Sequence, residues 1–217
     1  MNKFLKRTIT GTILALTLWY IFFCAPIIYL SITFLAILLW ILTQEWANLF
    51  KPSTFLFWIL TPIYPILPFI FLILLNQNPS SRFLIFIMFL IVASFDTGGY
   101  LVGKTIGKYK IIPKISPKKT WEGFFGGCIL ALISILTYRF LMNRTENLIL
   151  IIIITLITCL ISFAGDAFES WLKRLSKIKD SSYILPGHGG FMDRLDGAMF
   201  AAVFFYIFQG FLITVFR

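Results

Sequence analysis

The predicted fold class is an all-α, polytopic membrane protein with about seven transmembrane spans, and three observations lead to it. Apolar residues make up 59% of the 217, against roughly 45–50% in soluble domains. They gather into continuous runs of about 20 residues, the length a helix needs to cross a hydrocarbon core of about 30 Å; a membrane β-barrel would show shorter segments of alternating polarity. The 19 Lys and Arg outnumber the 9 Asp and Glu. They lie between the apolar runs and form no solvated stripe, which argues against nucleic acid as a partner and for loops beside a lipid bilayer.

Taken in order, the spans fall near 8–25, 27–43, 53–75, 83–102, 123–141, 148–165 and 195–216. The basic start, MNKFLKR, leads into the first run, and apolar character resumes after Pro26 with no small-residue cleavage pattern. That segment therefore reads as a retained anchor rather than a secretory signal. Pro26 restricts the residue before it and predicts a tight hairpin between the first two spans. Pro62, Pro65 and Pro68 lie in the third, where their missing N–H groups predict a kink or a break into two short pieces. Gly99, Gly103 and Gly107 recur every four residues around the end of the fourth, a seam that lets membrane helices approach closely. With a cytoplasmic N-terminus, 15 Lys and Arg fall on the cytoplasmic side and 4 on the other. The positive-inside rule then predicts an N-in, C-out protein of the cell membrane. No repeat or linker divides the chain, so residues 1–217 are read as one integral-membrane domain, with hydrophobic spans over 1–90 and catalytic spans and cytoplasmic loops over 91–217. Cys24, Cys128 and Cys159 show neither C-x-x-C nor Cys/His spacing and read as small core residues.

Seven of the nine acids, Asp96, Glu122, Asp166, Glu169, Asp180, Asp193 and Asp196, lie at or near the cytoplasmic ends of the last four spans. Acids beside a span are costly, so their gathering at one face points to function. Asp166, Glu169, Lys173 and Lys177 share one helical face. Carboxylates followed by cations suit a magnesium ion beside phosphate oxygens, and an ordinary interfacial helix with a Glu169–Lys173 pair is the structural alternative. The run Pro186-Gly187-His188-Gly189-Gly190 lets backbone N–H groups approach an anion. Asp193 and Asp196 follow on one face, with Arg194 between them able to fork onto phosphate. His188, the single histidine, reads as a loop-ordering hydrogen bonder or a base. Ser116-Pro117-Lys118-Lys119-Thr120, with Glu122 just beyond, suits a triphosphate clasp, although a positive-inside loop has the same composition. The segment lacks the spacing of a Walker P-loop.

The stretch from Ser170 to Asp196 resembles the signature of the phosphatidate cytidylyltransferases, the CDP-diacylglycerol synthases. The resemblance rests on Ser170, Lys173, Arg174, Lys179, Asp180, Pro186, His188, Gly189, Gly190, Asp193, Arg194 and Asp196, and upstream on Asp96-Thr97-Gly98, the Ser116–Gly123 run and Gly165-Asp166. It covers about residues 94–200, while the N-terminal third is similar only in hydrophobicity. Gly99 and Gly197 stand where Ala and Ser are expected. The resemblance implies that phosphatidate and CTP yield CDP-diacylglycerol and pyrophosphate, the lipid phosphate attacking the α-phosphorus with magnesium as cofactor. A second metal or a monovalent cation stays open, as does a homo-oligomer. It implies Asp166 and Asp193 as principal metal ligands with Asp196 supporting, and Asp166, Lys173 and Asp193 as the catalytic set. Lys118, Lys119, Lys173 and Arg174 would hold phosphates. Asp96, Glu122, Lys179, Asp180, His188, Gly189, Gly190 and Arg194 would line or order the substrate site. Two other readings are a CTP-dependent lipid kinase and an ion-coupled transporter. The latter expects acids at span midpoints, whereas here they gather at one interface.

Overall fold

The computed structural model describes residues 16, 17, 19–49, 54–142, 147–178, 180–182, 184 and 189–216. Its frame is helical. Among the described residues, five helices are long and apolar enough to cross a membrane: α1 (Ile27–Leu49), α2 (Phe55–Gln77), α3 (Pro79–Thr105), α4 (Trp121–Leu141) and α5 (Leu148–Leu175). A sixth crossing would need α6 (Met192–Ile207) and α7 (Gln209–Phe216), which meet at 91°. Among the described residues there are thus five or six crossings of the seven expected, and most of the expected span 8–25 lies outside them. The span expected over 195–216 carries this corner, whose break at Phe208 immediately precedes Gln209-Gly210. A polar residue and a weak helix former at the corner suit a change of helix direction there.

The prolines of α2 do not break it. Pro62–Ile66 forms a π-helical turn, continuous with the α-helical segments on either side, and such a widened turn absorbs the missing N–H donors and the ring clashes of Pro62 and Pro65. A second π turn, Ile41–Glu45, sits near the end of α1. Side-chain caps start the later helices: the Asn78 Oδ1 accepts from the Ser80 N–H at 3.0 Å, the Asn147 Oδ1 from Ile149 at 3.0 Å, and the Thr120 Oγ1 from Gly123 at 3.2 Å. Each satisfies an N–H that the first helical turn leaves unpaired.

Helices α3 and α4 pack as an antiparallel hairpin with almost no side chain between them. A Cβ on Gly98 would lie 2.7 Å from the Gly126 carbonyl oxygen and 2.8 Å from the Leu130 Cβ, so only glycine allows that approach. Between them the expected basic loop forms a small antiparallel ribbon, β1 (Lys110–Ile112) and β2 (Ser116–Thr120), with Lys110 opposite Thr120 and Ile112 opposite Ser116. Gly197 on α6 faces Ser162 on α5, whose hydroxyl occupies the space a Cβ at 197 would take. The 28 residues of α5 extend about 42 Å. This exceeds the hydrocarbon thickness, and its last turns project to the face where the α1 end, the ribbon and the α6 start also meet.

Candidate active site

At that face a cavity of about 400 Å³ is lined by Asp96 from α3, Lys118 and Lys119 from β2, Asp166 and Lys173 from α5, Asp180, and Asp193, Arg194 and Asp196 from α6. Its inner wall is aromatic, with Phe95, Phe124 and Phe163. The volume falls within the usual range for small-molecule sites. Four of the cavity's nine charged side chains form two ion pairs with each other. The Lys119 Nζ lies 2.8 Å from the Asp166 Oδ2 and 4.4 Å from the centre of the Phe163 ring. The Lys173 Nζ lies 2.8 Å from the Asp193 Oδ1 and 3.3 Å from the Glu169 Oε1. Both lysines are mostly buried, where an ammonium keeps its charge only beside carboxylates.

Asp193 is the most heavily bonded acid of the cavity. Besides Lys173, its Oδ2 accepts from the Gly190 N–H at 2.8 Å and from the Ser181 N–H and hydroxyl, both at 3.0 Å. Gly189, at φ +84°, makes the left-handed turn that delivers the Gly190 amide. Asp166 accepts from the Ser170 hydroxyl at 3.3 Å. Glu169 is fully buried behind the cavity, and its charge is met by the Lys173 ammonium, 3.3 Å from its Oε1. It faces Asp196 across the α5–α6 contact. A buried carboxylate beside a half-buried one needs cations to offset their repulsion, and Lys173 supplies one at Glu169; the hard oxygen atoms of such acids also fit a magnesium ion. Among the described residues no three such groups already converge on one point.

Other expected site residues are elsewhere. The Glu122 carboxylate accepts the Tyr109 N–H at 3.2 and 3.3 Å and closes the base of the ribbon. The Arg174 Nε donates to the Ile115 carbonyl oxygen at 3.1 Å, tying α5 to the same ribbon. Neither lines the cavity. Lys179 and His188 lie outside the described residues.

Two buried residues of the N-terminal spans back this site, and neither stands out in the sequence. Glu45, in the α1 π turn, is wholly buried and accepts four hydrogen bonds. Its Oε1 takes them from the Phe191 N–H at 2.9 Å and the Ser182 hydroxyl at 3.0 Å; its Oε2, from the Met192 N–H at 2.8 Å and the Ser181 hydroxyl at 3.0 Å. Tyr64, in the α2 π turn, is buried against Phe168 and Phe200, its hydroxyl without a partner among the described residues. The available signal for Glu45 was a charged residue just beyond an apolar run.

A cavity of paired lysines and carboxylates at the end of a helical bundle can hold polyanions against charge repulsion, and comparison with known proteins agrees. The Rickettsia typhi phosphatidate cytidylyltransferase is 40% identical over 169 residues, covering 75% of this chain and 74% of that protein. The Haemophilus influenzae phosphatidate cytidylyltransferase is 42% identical over 135 residues, 60% of this chain and 47% of its own length. The Bacillus subtilis phosphatidate cytidylyltransferase is 40% identical over 141 residues, 65% and 51% respectively. The chain thus spans about half the length of the last two relatives and about three-quarters of the first. The sequence profile of the cytidylyltransferase family matches residues 2–212, nearly the whole chain, and all the cavity's acids and cations lie inside that match; the chain belongs to this family.

Proposed function

We propose that the chain makes CDP-diacylglycerol and pyrophosphate from CTP and phosphatidate, at the cytoplasmic face of the cell membrane. The observation that carries the reading is the cavity itself, where Lys119 and Lys173 stand 2.8 Å from Asp166 and Asp193 at the end of a membrane-embedded bundle. Both reactants are anions, and the chief barrier to their meeting is mutual repulsion. A phosphatidate oxygen forms a bond to the α-phosphorus of CTP, the bond from that phosphorus to the bridging oxygen breaks, and pyrophosphate leaves with the electron pair. No protein nucleophile is needed. Lys118, Lys119, Lys173 and Arg194 hold phosphate oxygens, and the aromatic wall excludes water from the reacting end of the cavity. Asp166, Asp193 and Asp196 would hold magnesium, with Glu169 behind them, and the ion would supply further neutralisation of phosphate charge.

The orientation rests on the positive-inside bias of 15 Lys and Arg to 4. Incubating the purified chain with phosphatidate, magnesium and CTP labelled at either the α- or the γ-phosphate tests the activity. Label from the α position is expected in the lipid product and label from the γ position in pyrophosphate. Transfer of γ label to a lipid alcohol would replace the proposal with a lipid kinase, and full turnover in EDTA would remove the metal.

A further inference from the structure

Helix α6 begins without a cap of its own: its N-cap residue, Phe191, makes no side-chain capping bond. Its Met192 N–H, with the adjacent Phe191 N–H, ends instead on Glu45, at 2.8 and 2.9 Å, across 147 and 146 residues of sequence. A carboxylate at that end also faces the positive pole of the helix. The same carboxylate takes the Ser181 and Ser182 hydroxyls, and the Ser181 hydroxyl is shared, lying 3.0 Å from both the Glu45 Oε2 and the Asp193 Oδ2. Two further contacts join the end of α1 to this chain segment: the Asn48 Nδ2 donates to the Ser181 carbonyl oxygen at 3.4 Å, and the Ser176 hydroxyl donates to the Leu49 carbonyl oxygen. A Cβ at Gly190 would lie 2.6 Å from the Glu45 Oε2 and would strike the Ser181 hydroxyl, so the fit is closed to anything larger than glycine.

We infer that Glu45 is a positioning residue of the site, capping α6 in trans and fixing Ser181 and Gly190 so that Asp193 is held toward the cavity. The π turn serves this role, since an extra residue in the turn re-aims the side chain that ends it. Glu45 does not line the cavity and acts through the groups it holds. This assignment rests on the proposed cytidylyl transfer for its kinetic consequence, but its structural part stands alone.

The test compares the intact chain with Glu45→Gln in detergent micelles. Gln keeps one carbonyl acceptor and turns an NH2 group toward donors. Two readouts are taken: amide hydrogen exchange at Ser181, Gly190, Phe191 and Met192, and kcat and KM for CTP and phosphatidate. The expected result is faster exchange at those four amides, with helix cores α3 to α5 unchanged, and kcat lowered about 10- to 100-fold while either KM moves less than about threefold. Glu45→Asp, which keeps the charge but shortens the reach, should recover part of kcat. Unchanged exchange, or wild-type kcat with accelerated exchange, overturns the inference. A general loss of protection across α3 to α5 transfers the test to the Ser181→Ala, Ser182→Ala double variant, which keeps both helix N–H contacts, and there too unchanged kcat overturns it. If the unmodified chain makes no CDP-diacylglycerol, the functional reading fails and exchange alone decides whether Glu45 holds the α6 start.

Discussion

Asp193 and Asp196 are three residues apart and read alike in sequence, yet their surroundings differ. Asp193 accepts from Lys173, the Ser181 N–H and hydroxyl, and Gly190, whereas Asp196 faces another carboxylate, Glu169. Asp193→Asn therefore turns an amide NH2 toward donors and leaves Lys173 short of a partner, at a cost of about 3 kcal/mol. Its thermal midpoint in detergent should fall, and that of Asp196→Asn should stay level or rise as like-charge repulsion is relieved. Asp166→Asn and Asp193→Asn should each lower turnover at least about a hundredfold, roughly 2.7 kcal/mol of transition-state stabilisation, read in the labelled-CTP assay. The acids and lysines were legible because helical spacing and glycine-rich punctuation put chemistry-bearing residues close together in sequence. Glu122 and Arg174 carried the same signal but serve the ribbon, where Tyr109 has an N–H needing an acceptor and Ile115 a carbonyl needing a donor. Glu45 and Tyr64 were hard to single out because the donors around Glu45, and the Phe168 and Phe200 rings against Tyr64, come from more than a hundred residues away, so no local period or motif announces their roles.

At the scale of elements, hydropathy located every long helix, because in a bilayer the length of an apolar run and the need to satisfy backbone groups leave few alternatives. The helical spacing of Asp166, Glu169 and Lys173 carries the span of 148–165 onward, and α5 runs through those turns to Leu175, short of Lys177. Hydropathy missed the ribbon, whose three- and five-residue strands are too short for a pattern of alternation. The α3–α4 seam gives a matched pair of predictions. Gly98→Ala meets backbone and side chain inside 3.0 Å and should cost about 1–3 kcal/mol through overpacking. Gly210→Ala has no atom within 4 Å of the added Cβ and should be neutral or stabilise by a few tenths of a kcal/mol through helix propensity. Thermal unfolding of the two purified variants in one detergent checks both.

For the whole molecule, the spans α1 to α5 run alternately toward and away from the site face, so the orientation of one decides the rest. On a background with the exposed Cys24 replaced by serine, Lys114→Cys in the ribbon should resist a membrane-impermeant maleimide in intact cells, and Met142→Cys at the far end of α4 should react; both positions are exposed. Reaction of Lys114→Cys from outside would invert the protein. The bond between Glu45 and the start of α6 also has a consequence for biogenesis. Glu45 leaves the ribosome before any of its four donors, and the last of them is 147 residues away. At about 5–20 residues per second, that interval lasts roughly 7–30 s. During it a carboxylate waits near the membrane surface on an otherwise apolar helix, and the end of α1 cannot settle into its final packing. Synthesis halted before Ser181 leaves that charge with none of its partners, a mark by which unfinished chains differ from finished ones.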